Sequence, residues 1–367
     1  MLRGQEARID LGALAGNLKK IKSLPGRGRG QGKGVGVIAV VKADAYGHGA
    51  VRISKRLWKE GVLSLAVAYG SEARTLREEG VKAPILVLFD EEPGPAFDLE
   101  LTPVLHSLKS ARRISREAQK RGREIGVHIK VDTGMGRMGL FCDDAANEVA
   151  EIASLPGVRV EGLMSHFSEI GPGNLGFARL QLEKFNSLRN ELAGKGIRPF
   201  AHISSSAGAL LLPEAHLDAV RVGLVLYGSS PFEADKTGLK PIMNIKTRII
   251  LLKKLHKGQP VSYDRTFITA RESLIAVVPV GYADGYLRAF SNKGYAMVRG
   301  KHAPVAGRVC MDLTMLDVTG IKGVSEGDEA VLLGDGITGG ELAGLAGTNP
   351  YEIMTSLGGR ARRYFSV

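Results

Sequence analysis

A chain of 367 residues with 44% hydrophobic and 24% charged content holds enough apolar material for two cores and too much for a disordered polymer. No apolar run approaches the ~20 residues of a membrane-spanning helix, and the opening MLRGQEARIDLGAL lacks the apolar stretch of a secretion signal, so a cytoplasmic location is expected. Lys plus Arg number 50 against 38 Asp plus Glu, a formal charge of +12, which fits an anionic small ligand as well as it fits a nucleic acid.

The first predicted element is a strand in ARIDL, within residues 1–12, expected to pair with the C-terminal part of the chain. A helix-like stretch over 12–22 leads into GRGRGQGKG at 26–34, which is basic but has no aromatic residues for bases to stack on. It sits where a loop is expected and reads as an insertion, so no nucleic-acid partner is assigned. Nor is it a phosphate loop, because Gly34 follows Lys33 where Ser or Thr is required and Arg27 replaces the earlier glycine. VIAVVK at 37–42 then has the length and β-branching of a buried parallel strand, and Gly47–Gly61 reads as an amphipathic helix entered through a Tyr- and Gly-rich turn. Lys42 is therefore placed at the carboxyl end of the strand, where α/β folds assemble their sites.

Further strands are predicted in LSLAVA (63–68), PILVLF (84–89), LTPVLH (101–106), VHIKVD (127–132), VEGLMSH (160–166), FAHIS (200–204) and DAVRV (218–222). Amphipathic helices such as ARRISREAQKRG alternate with them. Eight strands with intervening helices spell a parallel β/α (TIM-type) barrel over residues 13–235. From about residue 236 to 367 strand-like runs dominate, with no regular helix before GGELAGLAG, and a mainly β C-terminal domain is expected. Cys142 and Cys310 are too few and too distant in sequence for a disulfide framework or a zinc site, so no metal is assigned and both read as ordinary buried thiols.

The strand ends collect an unusually polar set: Lys42 and Tyr46, then Lys130, Asp132 and Arg137, then Ser165 and His166, His202 with Ser204–Ser206, and Arg221 before Gly223. GMGRMG at 134–139 satisfies G-x-G-x-x-G, but residues 154–158 offer no carboxylate at the spacing a dinucleotide fold needs. These glycines read as a tight turn that faces Arg137 into the barrel mouth. Lys42 combined with a phosphate nest from Ser206 and the backbone at Gly223 and Leu224 points to pyridoxal 5'-phosphate, whose aldehyde requires an amine, with His166 positioned to stack on its ring.

VVKADAYGHG, KVDTGMGRMG, HISSSAG, RVGLVLYG, VSYDRTF, VGYADGYLR and GRVCMD, in that order, resemble the bacterial alanine racemase family, pyridoxal-phosphate enzymes built from a barrel and a β domain. The resemblance runs from ARIDL to NPYEI. It implies a homodimer with shared active sites that interconverts L- and D-alanine and supplies D-alanine for peptidoglycan. By that resemblance Lys42 bonds the cofactor aldehyde and, once freed, is the base on one face of the substrate Cα, while Tyr263 of the partner subunit is the base on the other. Arg221 matches the donor to the pyridine nitrogen and His202 the residue that orients it. Tyr46, Ser206 and the amides of Gly223 and Leu224 match phosphate contacts. Arg137 matches the group beside the cofactor phenolate and substrate carboxylate, Met311 a backbone donor to that carboxylate, and Tyr282 and Asp312 residues lining the site. Lys130 matches a lysine that is carbamylated in some members.

One position departs from the family pattern. Relatives commonly carry a tyrosine after PYE that touches the phosphate and narrows the entry, and its ungapped counterpart here is Gly359, with Tyr351 and Tyr364 as nearby substitutes. A wider entrance would admit serine, so a racemase of broader specificity is one alternative. A barrel decarboxylase is the other, although Cys310 lies in the racemase-like RVCMD and the catalytic cysteine context of those enzymes is missing.

Overall fold

The computed structural model describes residues 4–25, 34–230, 232 and 237–367; most of the basic tract, residues 26–33, lies outside the described residues. After β1 (Glu6–Asp10) come β2 (Val37–Val40), β3 (Ser64–Val67), β4 (Ile85–Val87), β5 (Thr102–Leu105), β6 (Ile125–Asp132), a short β7 (Leu140–Phe141), β8 (Val158–Met164), β9 (Phe200–His202) and β10 (Val220–Val222). Eight of these run in the order β10-β2-β3-β4-β5-β6-β8-β9, every pair parallel, with β7 added beside β6. The sheet is a nearly closed barrel. Between β9 and β10 the closure is made by scattered bonds: Arg221 N donates to the Ser204 carbonyl at 2.8 Å, Asp218 N to the Ala201 carbonyl at 3.1 Å and Ala201 N to Asp218 Oδ2 at 2.8 Å.

Residues of β2 are buried without exception, as expected of a strand covered on both faces. The helix Leu108–Arg121 shows how the outer layer forms. Ser107 accepts from Ser110 N at its start, Gly122 ends it in the left-handed conformation, and Ala111, Ile114 and Ala118 give it a buried stripe. The link between the last two barrel strands is the short helix Ser206–Leu211 with a 3₁₀ turn at Pro213–Ala215.

Beyond the barrel lie β11 (Met243–Arg248), β12 (Leu251–Leu255), β13 (Pro260–Val261), β14 (Phe267–Ile268), β15 (Ser273–Val278), β16 (Tyr295–Val298), β17 (Lys301–Pro304), β18 (Thr314–Asp317), β19 (Glu329–Leu333) and β20 (Arg362–Ser366). A six-stranded sheet runs β17-β16-β19-β11-β1-β20, so the first strand of the chain lies between strands of the C-terminal part. A three-stranded sheet β12-β15-β18 and the ribbon β13-β14 complete this mainly β portion. One apolar core is continuous from Ile9 and Val37–Val41 through Leu224–Tyr227 to Leu332 and Ile353, which fixes the two portions against each other.

Local details differ from the sequence-based expectation in three places. The helix expected from Gly47 begins at Ala50, and what precedes it is one turn of left-handed helix: Ala43, Asp44, Ala45 and Tyr46 have φ between 50° and 54°. A second C-terminal helix, Pro350–Gly358, follows the expected one at Gly339–Ala346. Cys142 and Cys310 are free and half-exposed, not buried, because both lie in loops at element ends, where Cys142 packs only against the margin of the second apolar core.

Candidate active site

The left-handed turn after β2 costs roughly 1–2 kcal/mol for each non-glycine residue, so its neighbours must impose it. Glu72 Oε1 accepts from Ala43 N at 2.6 Å while its other oxygen accepts from Ala68 N at 2.6 Å, tying the mouths of β2 and β3 together. Asp44 accepts from Ala50 N at 2.7 Å and pairs with Arg363 at 2.6 Å. The result fixes Lys42 at the barrel mouth with Tyr46 buried behind it.

A cavity of about 560 Å³ opens there, and Lys42, Tyr46, Lys130, Arg137, His166, Ser206, Arg221 and Gly223 all line it. Leu224 is buried beside Gly223, and Ser206 Oγ accepts from Gly223 N at 3.3 Å. A Cβ on residue 223 would stand 2.6 Å from the Tyr46 hydroxyl, so only glycine leaves that end of the cavity open. In the 134–139 turn, Gly134, Gly136 and Gly139 have positive φ. Asp132 caps the turn by accepting from the amides of Gly134, Met135 and Arg137 at 2.9, 2.7 and 3.2 Å. Arg137 thereby joins the lining. Its guanidinium carbon lies 5.9 Å from the Phe89 ring centroid and the Lys42 amine 5.4 Å from the same centroid.

Arg221, only 5% exposed, organises the floor. It donates to His202 Nδ1 at 2.7 Å, to His166 Nδ1 at 2.8 Å and to the Ser165 carbonyl at 3.0 Å. A guanidinium only donates, so both imidazoles accept at Nδ1 and carry their proton on Nε2. His202 Nε2 then donates to His128 Nδ1 at 2.9 Å. All three rings are held neutral: burial first, then the Arg221 charge, pushes His166 and His202 well below the ordinary histidine range and His128 down to about 4.

Burial and then the neighbouring Arg137 charge also lower Lys42, with Glu72 opposing and Arg221 assisting. Lys130 is 2% exposed, its Nζ has no hydrogen-bond partner among the described residues, and burial followed by Arg221 and Arg137 lowers it to about 8. These are the physical means by which an amine keeps a neutral fraction near pH 7.

Tyr263, Tyr282, Met311 and Asp312 do not join this cavity within one chain. They are exposed together on the β portion, where Tyr282 N donates to the Cys310 carbonyl at 3.0 Å and Ser262 Oγ to the Arg308 carbonyl at 2.7 Å. Tyr263 is flanked by Ser262, Asp264 and Arg265, all with positive φ, a concentration of strain typical of functional segments. Gly359, the departure from the family pattern, is exposed at the end of its helix and is absent from the cavity wall; Tyr351, Asn349, Thr355 and Ser356 of that helix are present in it.

Sequence reasoning overlooked His128, Glu72 and Phe89. The first had a readable signal, since His128, Lys130 and Asp132 alternate with Val127, Ile129 and Val131 and so share one face of β6. Glu72 had none, because its role depends on the packing of two strand ends.

A reactive amine among arginines and neutral histidines, at the carboxyl end of a parallel β/α barrel joined to a β portion, defines an enzyme of the barrel-plus-β-domain class. The model of the alanine racemase N-terminal domain matches residues 9–231 and that of the C-terminal domain residues 242–365. The chain is 46% identical to the alanine racemase of Thermodesulfovibrio yellowstonii, over 100% of its own length and 98% of the relative's. It is 42% identical to that of Syntrophobacter fumaroxidans, over 95% and 94%. The crystal structure of alanine racemase from D-cycloserine producing Streptomyces lavendulae superposes with a TM-score of 0.92 at 32% identity, covering 100% of this chain and 98% of that one. The chain belongs to the alanine racemase family and is an isomerase of that fold.

Proposed function

We propose that this protein racemises alanine with pyridoxal 5'-phosphate held at the barrel mouth, in a homodimer where Lys42 works opposite Tyr263 of the partner subunit. The observation that carries the reading is the convergence of Lys42, buried Arg221 and the Ser206–Gly223 nest in one cavity. The donor set fits the cofactor: an amine for the aldehyde, Arg221 for the ring nitrogen, His166 for the ring face, and Tyr46, Ser206 and the amides of Gly223 and Leu224 for the phosphate. When bound, pyridoxal phosphate supplies the aldehyde that captures the amino acid and a conjugated ring that accepts the electron pair left by the α-proton.

The chain's own residues do the rest. Lys42, lowered by burial and by Arg137, removes or returns a proton on one face of the substrate Cα. Arg221, although burial lowers it to about 10, keeps its proton at neutral pH and offers the ring nitrogen a hydrogen bond without protonating it. Arg137 and, across the dimer interface, the Met311 amide of the second protomer hold the substrate carboxylate, with Tyr282 and Asp312 of that protomer bordering the site. One base returning its own proton would mostly restore the starting hand, so the opposite face needs Tyr263. Its exposed apolar neighbours Ile268, Met311 and Leu313 supply the surface on which a second protomer packs.

Lys130, an orphaned amine lowered to about 8 between two arginines, suits carbamylation: the lone pair of its neutral form bonds to the carbon of carbon dioxide, one N–H proton is released to solvent, and the resulting carbamate anion is neutralised by Arg137. Synthesis of D-alanine for peptidoglycan in the cytoplasm is the corresponding biological role; among the described residues no helix is long and apolar enough to cross a membrane.

L-Alanine incubated with the holoenzyme in deuterated water tests the reading. Loss of optical rotation together with Cα deuteration is expected, with both strongly slowed by Tyr263→Phe. Cα exchange without loss of rotation would contradict the two-base assignment.

A further inference from the structure

The end of β4 brings an aromatic ring to the barrel mouth. Ile85–Val87 are fully buried, and the bonding to the β3 side continues past them: Leu88 N donates to the Val67 carbonyl and Phe89 N to the Ala68 carbonyl, both at 3.0 Å. Asp90 holds the next step by accepting from Gly70 N at 2.9 Å. The Phe89 ring itself meets Tyr69 edge-on, with centroids 6.5 Å apart at 60°. Backbone and ring are thus fixed by the chain that leaves β3, and the ring forms part of the cavity wall.

Two cations face that one ring, the Lys42 amine at 5.4 Å from its centroid and the Arg137 guanidinium carbon at 5.9 Å. Among the described residues no hydrogen bond or ion pair reaches the side chain of either. Asp132 fixes the backbone of the 134–139 turn, but the exposed Arg137 side chain extends beyond that support. The negative face of an aromatic ring attracts a cation within about 6 Å, so Phe89 supplies the attraction that ion pairs and hydrogen bonds do not. A carboxylate in its place would pair with the guanidinium that has to meet the substrate carboxylate, and would raise Lys42. A neutral ring holds both cations and leaves both available.

Resting on the roles given above to Lys42 and Arg137, we propose that Phe89 is a positioning residue for racemisation: its ring holds the Arg137 guanidinium at the mouth, ready for the substrate carboxylate, and steadies the Lys42 ammonium beside it. An aliphatic side chain of similar size fills the wall and holds neither. The effect on Lys42 has one sign. Attraction to the ring favours the charged amine, acting with Glu72 and against burial, Arg137 and Arg221.

The test keeps the shape of residue 89 and changes its electrostatics. Phe89 is replaced in turn by mono-, di- and trifluorinated phenylalanine, which strip negative charge from the ring face stepwise, and by Phe89→Tyr and Phe89→Leu; thermal unfolding checks that each chain folds. Lys42 is titrated in the apoprotein by competitive acetylation with acetic anhydride across pH, read by mass spectrometry of its peptide, and KM and kcat for alanine are measured on the holoenzyme. The proposal expects the Lys42 midpoint to fall stepwise along the fluorine series, by up to about one pH unit. KM should rise by about threefold to tenfold along the same series, with kcat changing less, because Arg137 serves binding of the carboxylate before and during the reaction alike. Phe89→Leu should match the trifluorinated ring in KM, and Phe89→Tyr, which keeps the ring face, should restore it. A flat fluorine series in either quantity overturns the proposal, as does a loss in Phe89→Leu without fluorine dependence, which marks packing alone. Failure of wild type to take up pyridoxal phosphate would overturn the cofactor reading instead, and the apoprotein titration would still report on the ring.

Discussion

Arg221 decides the protonation of every ring around it. Because it can only donate, His166 and His202 accept at Nδ1, and the chain His202 to His128 follows at 2.9 Å. Neutral imidazoles buried beside a fixed cation make the fold sensitive to acid. His48 belongs to the same group: it is fully buried, lowered to about 4 mainly by burial, with its Nδ1 donating to the carbonyls of Ala45 and Tyr46. A histidine whose folded pKa lies below its unfolded value of about 6.5 contributes fully to stability above that value, and the contribution is lost as pH falls toward the folded pKa. Denaturant unfolding should therefore show stability falling between about pH 6.5 and 4, by up to about 1.4 kcal/mol per pH unit for each such histidine. His48→Asn, which keeps a donor near the Nδ1 position, should make that slope shallower; an unchanged slope would remove His48 from the account. At this scale the sequence was informative about which residues gather at the strand ends, and uninformative about tautomers, which follow from contacts between β6, β8, β9 and β10.

The element that presents Lys42 is the least legible part of the chain. Of Ala43, Asp44, Ala45 and Tyr46 only Asp44 has any leaning toward left-handed backbone, and the turn exists because Glu72, Asp44 and Arg363 hold it. Arg363 donates to the Gly47 carbonyl at 2.9 Å and the Gly358 carbonyl at 2.8 Å while pairing with Asp44 at 2.6 Å, stapling the turn to the last helix. Replacing it with Met keeps the stem and removes the staple. Arg363→Met should lower stability by about 1–3 kcal/mol, read as a shift of the denaturant midpoint, and should also weaken binding of pyridoxal phosphate; a shift in neither would show that the turn is held without it. The missed helix Pro350–Gly358 had a readable start, since Asn349, Pro350 and Glu352 are a cap, a first-turn proline and a first-turn acid. Its short length next to a stretch of strands obscured it. By contrast, the barrel strands stood out, β2, β3 and β4 as near-continuous apolar runs buried on both faces and β6 by alternation, with only their ends displaced by a few residues.

At the scale of the molecule, one core joins barrel and β portion, yet the assigned base Tyr263 is 67% exposed and is absent from the cavity that holds Lys42. On the proposed two-base mechanism, the chain by itself carries half of two sites. The family resemblance made both residues visible in the sequence and implied that they stand on different subunits; their separation within one chain agrees with that implication, and the proposed two-base mechanism then requires a second copy. The direct measurement is complementation between two inactive protomers. Lys42→Ala and Tyr263→Phe chains with different tags are co-expressed, the mixed dimer is isolated with its cofactor, and alanine racemisation is measured. A site shared between subunits pairs the intact Lys42 of one chain with the intact Tyr263 of the other, so the mixed dimer should recover about half the activity of wild type, one working site of two. A mixed dimer no more active than either variant alone would contradict the shared site and, with it, the assignment of Tyr263 as the second base.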